Sequence, residues 1–178
     1  MRLNPKLLCI ASIIALLIAG PAASMAADKP PFEGLAGLWS GQGRLGFKDG
    51  KIENVTCRTT YFVSVDANEL KQNIRCASGG AKIEVKSLVK HDAGKLAGTW
   101  TETVYDKSGD ISGAVTPRGF LVTVKGSDVN ASMDIIVRDV RQIIEIHFTD
   151  STLLGLTLVL SKSTSETVTG GIDKSAVP

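Results

Sequence analysis

Between Gly37 and Lys162 apolar and polar residues alternate in short runs, and turn residues interrupt them every 10–14 positions. A period of two marks strands with one buried and one wet face, and no run of helical period and length intervenes. Ten strands are predicted, over 38–47, 52–64, 69–77, 82–91, 95–105, 110–116, 119–125, 129–138, 141–149 and 153–162. The turns carry Asp49-Gly50, Asp66-Ala67-Asn68, Gly79-Gly80, Ala93-Gly94, Ser108-Gly109, Pro117-Arg118-Gly119 and Gly126-Ser127. Connections this short allow only antiparallel neighbours, so the sheet is a meander. A ten-stranded meander with one apolar face removes its unpaired edges by closing. The predicted fold is all-β, an antiparallel up-and-down barrel over 37–162.

The turns also fix the register. Pairing Cys57 with Cys76 centres the intervening turn between Asp66 and Ala67, where turn residues already stand. Two-residue turns at Gly79-Gly80 and Ala93-Gly94 carry the alignment onward. Val55, Cys57, Tyr61, Val63, Leu70, Ile74, Cys76, Ile83, Val85, Val89, Leu96, Trp100 and Val104 then share one face. Arg58, Thr60, Lys71, Asn73, Arg75, Lys82, Glu84, Lys86 and Lys90 share the other. A slip of one residue would scramble that separation. In later strands Phe120, Val122 and Val124 face Val129, Ala131 and Met133, which face Ile144, Ile146 and Phe148. In the first hairpin a two-residue Asp49-Gly50 turn turns Trp39 outward, whereas a bulged turn through Lys51 sets it inside, opposite Tyr61. Burial of so large an apolar side chain favours the bulge.

The first 26 residues have the three parts of an export signal: Arg2 and Lys6, an apolar stretch from Leu7 to Ala19, and small residues ending at Ala26. The apolar stretch is shorter than the roughly 20 residues of a membrane span. Cleavage after Ala26 and a periplasmic or secreted destination are expected, with no stable membrane insertion afterwards. Residues 27–36 read as a leader and 163–178, rich in Ser, Thr and Gly, as a flexible tail. The signal holds two of the 20 basic residues and none of the 18 acidic ones, so the mature chain has no net charge. It keeps two cysteines, Cys57 and Cys76, which in an oxidising compartment are expected to form a disulfide.

The segment Gly37-Leu38-Trp39-Ser40-Gly41-Gln42-Gly43 resembles the first strand of the calycins, which include lipocalins, fatty-acid-binding proteins and nitrobindins. Its Gly-x-Trp-x-Gly-x-Gly form is most similar to the nitrobindin version. The wider pattern, Val55-Thr56-Cys57-Arg58, Gln72 to Ser78 and Gly98 to Glu102, resembles small exported proteins of alphaproteobacteria. The nitrobindin resemblance implies haem held by a histidine near the C-terminus. Only His147 is placed for it, and alternation against Ile144, Ile146 and Phe148 turns it outward, so no cofactor is expected. Lipocalins place an arginine on a late strand over the tryptophan, and Leu153 to Leu160 has none.

Carried across the strands, the registers align Tyr61, Gln72, Ser87 and Trp100, with Thr59, Ile74, Val85 and Glu102 in the next row. An apolar interior with a belt of Tyr61, Gln72, Ser87, Trp100 and Glu102, closed at one end by Trp39, suits a small-ligand site. The alternative is a filled barrel whose polar groups satisfy one another or bury a water. On the outside, Arg58, Lys71, Arg75, Lys82, Lys86 and Lys90 form a basic face that suits lipid phosphates or an acidic partner, offset in part by Glu84. Two histidines, one at a turn and one outward, provide no nucleophile–base set and no metal site, and no aromatics interleave a basic groove for nucleic acid. The sequence therefore leads to a non-enzymatic exported barrel binding a small apolar or amphipathic molecule. An envelope interaction or inhibitor-like module acting through its outer surface is the other reading.

Overall fold

Ten strands wind once round a closed barrel: β1 (Gly37–Phe47), β2 (Ile52–Val63), β3 (Glu69–Ala77), β4 (Lys82–Asp92), β5 (Lys95–Glu102), β6 (Lys107–Thr116), β7 (Gly119–Gly126), β8 (Asn130–Arg138), β9 (Arg141–Thr149) and β10 (Leu153–Lys162). A computed structural model describes residues 29–163. The expected signal peptide, and the expected tail beyond Ser163, lie outside the described residues. Each strand is antiparallel to the next, and β1 pairs with β10 from Trp39↔Lys162 to Phe47↔Leu153. The calycin-like all-β barrel is the observed architecture.

From β2 to β5 the register is the one the turns dictate: Cys57↔Cys76, Ile74↔Val85 and Ser87↔Trp100 lie opposite one another. Cys57 and Cys76 are disulfide-bonded between neighbouring strands. The Ala93-Gly94 turn has positive φ at both residues (44° and 81°), the geometry that matches the twist of a hairpin closed by two residues.

Three details differ from expectation. Trp39 is inside, but opposite Thr59, because the first loop is Lys48-Asp49-Gly50 and Phe47 donates its N–H to Lys51 O at 2.9 Å. That placement gives the left-handed position to Gly50 (φ 88°), where a loop one residue later would force it on Lys51. The fifth strand ends at Glu102, not 105, and its turn is 103–106, not Ser108-Gly109, which lies inside β6. Thr103 to Tyr105 alternates like a strand, but the Glu102 carboxylate captures the N–H groups of Val104 and Tyr105 and folds the segment into a turn. Val104 and Ile83, expected in the core, are therefore 54% and 37% exposed at the barrel rim.

The two ends of the barrel are unlike. At one, the mouth, the chain reverses at 48–51, 78–81, 103–106, 127–129 and 150–152; at the other, the floor, at 64–68, 93–94, 117–118 and 139–140. In the segment read as a leader, residues 29–36 fold across the floor. Phe32 and Leu35 are 1% and 3% exposed, and Phe32 packs on Phe120 with ring centroids 5.6 Å apart. Trp39 Nε1 donates to Leu35 O at 2.7 Å and Lys162 Nζ to Gly34 O at 2.8 Å, tying the plug to both strands of the closing seam. Burying two such side chains contributes about 1.5–3 kcal/mol each.

Candidate functional site: the barrel lumen

Alternation aims one residue in two of every strand into the barrel, and these inward residues are not packed alike. Towards the floor, Trp39, Tyr61, Leu70, Leu96, Phe120, Ile144 and Leu160 are buried and form the core with the plug. Nearer the mouth, Leu45, Ile74, Val85, Val124, Ile146 and Leu156 are half-buried beside the buried Val55 and Cys57, and at the floor Val63, Val115, Ile135 and Val137 are half-buried as well. Inward apolar side chains line the lumen at both levels, and the plug closes it at the floor.

The expected belt assembles across four strands. Tyr61↔Gln72, Gln72↔Ser87 and Ser87↔Trp100 are direct cross-strand partners. Trp39 lies beneath the belt, edge-on to Tyr61 with ring centroids 6.0 Å apart. Tyr61 is buried, and its hydroxyl donates across the lumen to Gln142 Oε1 on β9 at 2.9 Å. Burial pushes the phenol well above its usual range, with the Gln142 bond acting weakly the other way, so Tyr61 stays neutral. Gln142, 1% exposed, escapes a reading by motif. Only its parity with Ile144 and Ile146 signals that it points inward. The Tyr61–Gln142 bridge joins β2 to β9 across the lumen.

Gln72 and Ser87 sit directly above this bridge, half-buried and facing the lumen, and no buried side-chain polar atom lacks a partner among the described residues. Trp100 walls the same space from β5. Its Nε1 donates to Lys125 O at 3.3 Å, and its ring occupies the room left by Gly126, where a Cβ would stand 2.7 Å from the indole.

Glu102 belongs to the rim rather than to the ligand space. Its Oε1 accepts from Glu84 N at 2.9 Å and Val104 N at 3.0 Å, and its Oε2 from Tyr105 N at 2.6 Å. Burial pushes the carboxyl up, but the three N–H groups outweigh it and hold Glu102 below the usual carboxylate range. The charge is thereby spent on the turn. Both ring nitrogens of His91 are engaged at the floor, Nδ1 with Asn68 Oδ1 and Nε2 accepting from Gly94 N, each at 2.9 Å. His147 is exposed on the outer face, as alternation requires. Among the described residues no three His, Cys, Asp or Glu side chains group as a metal site. The arrangement can hold a small molecule against apolar walls and orient it through an amide and a hydroxyl.

The fold and the lumen define a calycin-like barrel. No protein-family model matches the chain, and no curated protein matches it. Two solved structures share the architecture. One is an S-type phycobiliprotein lyase, CPES, of Guillardia theta, with TM-score 0.56 and 11% identity over 76% of this chain and 92% of that one. The other is Rv2717c of M. tuberculosis, with TM-score 0.59 and 11% identity over 74% of this chain and 94% of that one. At such identity the likeness shows the fold alone. It nevertheless overturns the expectation of a non-enzymatic domain, because a barrel of the same fold is the body of a lyase. The absence of a recognisable nucleophile–base set was too narrow a ground for excluding catalysis.

Proposed function

We propose that this protein takes up a small, uncharged, apolar or amphipathic molecule through the mouth and holds it in the upper lumen, between Gln72, Ser87 and Trp100. The observation that carries this reading is that Gln72 and Ser87, half-buried and facing the lumen, stand in one row with Trp100 and beside the half-buried Ile74 and Val85. Among the described residues the lumen offers no uncommitted charge there, since Glu102 is bound to backbone N–H groups, so a charged ligand would be left without a partner. The likeness to a lyase supports the same reading, because a ligand held in such a barrel can also be a substrate. Export is part of the proposal: Arg2 to Ala26 has the composition of a signal, and the Cys57–Cys76 disulfide suits an oxidising compartment.

Native mass spectrometry of the protein purified from its own envelope fraction tests this directly. An added small mass, lost on denaturation, is expected, on a chain that begins at Ala27. A ligand returned chemically altered after incubation with the protein marks an enzyme, and one returned unchanged marks a carrier. A bare chain mass from several growth conditions contradicts the proposal.

A further inference from the structure

Two neighbouring strands carry a charge pattern on their outer face that the lumen does not use. On β8 and β9 three register pairs follow one another from floor to mouth: Arg138↔Arg141, Ile136↔Ile143 and Asp134↔Glu145. Alternation against the inward Ile135 and Ile144 turns all six side chains outward. The two strands are adjacent in a ring of ten, so these side chains leave the convex surface in nearly one direction. Arg138, Arg141, Ile143 and Glu145 are exposed, and Asp134 and Ile136 half-buried. Val159 of β10, opposite Ile143, and Leu121 of β7, opposite Asp134 and 51% exposed, widen the apolar band. Both charged pairs set like charges face to face, an arrangement that destabilises a sheet. None of the four charges forms an ion pair among the described residues. Further round, Thr157 and Ser161 of β10 stand between this patch and Arg44 and Ser40 of β1. Arg118 and Asp139, in the floor turns beside the arginine pair, add one charge of each sign.

We propose that a second copy of this chain docks on this face, about a two-fold axis that runs along the Ile136–Ile143 row. Turning a copy about that axis lays its β9 antiparallel over the first, isoleucine on isoleucine. Arg141 then meets Glu145 of the second copy and Arg138 meets its Asp134, and both contacts recur on the other side of the axis. The arginines and the carboxylates stand two residues, roughly 7 Å, to either side of the isoleucines, so all these contacts register together. About an axis along the strands instead, arginine would meet arginine, so the charges select one arrangement. Equal numbers of each sign at equal distances from an apolar row make a surface that matches itself. A purely acidic or purely basic partner would satisfy half of it and oppose the other half. A contact confined to a few strands of a convex wall belongs with the small interfaces, under about 1,200 Å² in total, that form weak and reversible dimers. It lies on the side of the barrel and leaves both mouths free.

Sedimentation velocity of the purified protein, from micromolar to near-millimolar concentration, reads the monomer–dimer equilibrium. The wild type should dimerise reversibly, and added salt should weaken the dimer. Arg138→Glu with Arg141→Glu makes both rows acidic, and Asp134→Lys with Glu145→Lys makes both basic. Each double variant alone should associate about tenfold more weakly or worse. An equimolar mixture of the two should form a heterodimer at least as tight as the wild-type dimer, because every charge across the axis then meets its opposite. Ile143→Asp keeps all four charges but sets a carboxylate against its own copy on the axis, and it should abolish the dimer. A wild type that stays monomeric throughout overturns the proposal. So does a dimer that survives in both double variants, or a mixture of folded variants that fails to associate. Should a charge variant not fold, a dimer unchanged by Ile143→Asp overturns it equally.

Discussion

Single residues decide the shape of the rim and the turns. Glu102 holds the 103–106 turn through the N–H groups of Val104 and Tyr105 and ties it to β4 through that of Glu84, and a neutral amide in its place would present hydrogens to some of them. Glu102→Gln is therefore expected to lower stability at neutral pH by about 1–3 kcal/mol. Because the folded carboxyl lies below its unfolded value, the contribution is present above the usual carboxylate range and disappears as pH falls through the folded value. Denaturant midpoints of wild type and variant should differ at neutral pH and converge in acid; parallel curves would contradict this role. Ala93 illustrates the opposite case. Its φ of 44° strains a residue with a Cβ, so Ala93→Asn should raise stability by about 0.5–1 kcal/mol in the same assay. The sequence displays both residues but not their roles. Thr103-Val104-Tyr105 alternates as a strand would, and only the position of the Glu102 carboxylate shows that the chain turns there.

Within the elements, legibility followed how locally each pairing is determined. From β2 to β5 each short turn fixes the next register, and the Cys57–Cys76 pair confirms it, so the belt of Tyr61, Gln72, Ser87 and Trp100 could be aligned from residue numbers. The seam between β1 and β10 joins the two ends of the barrel, and no hairpin fixes it. The Tyr61–Gln142 bridge depends on that closure and so stayed hidden, as did the plug, whose Phe32 and Leu35 stand in a Pro-rich stretch without strand periodicity. The seam explains Gly41 of the Gly/Trp motif: a Cβ there would lie 1.8 Å from Val159 O of β10, while one at Gly46 would meet nothing closer than 3.9 Å. Gly41→Ala should force the seam apart and abolish cooperative unfolding, and Gly46→Ala should leave the melting curve nearly unchanged. Equal behaviour of the two variants in thermal melts monitored by tryptophan emission would contradict this account of the motif.

At the scale of the whole molecule, a disulfide, a plugged floor and the proposed ligand space act together. The Cys57–Cys76 bridge spans a sequence separation of 19, and closing a loop of that length stabilises by about 3 kcal/mol. The Cys57→Ala, Cys76→Ala double variant should lose about that much in denaturant titration while keeping its β-sheet circular dichroism. The plug covers the floor, so the proposed ligand enters from the mouth and meets Ser87 and Trp100. Substituting Ser87 by Phe fills that space from inside without touching the outer face, where Arg58 is exposed. The most direct measurement is titration of wild type, Ser87→Phe and Arg58→Gln with an uncharged apolar fluorophore, read by quenching of tryptophan emission. Saturable binding to wild type and Arg58→Gln, lost in a folded Ser87→Phe, is the predicted result. Equal binding to all three, or none to the wild type, would contradict a ligand-holding lumen.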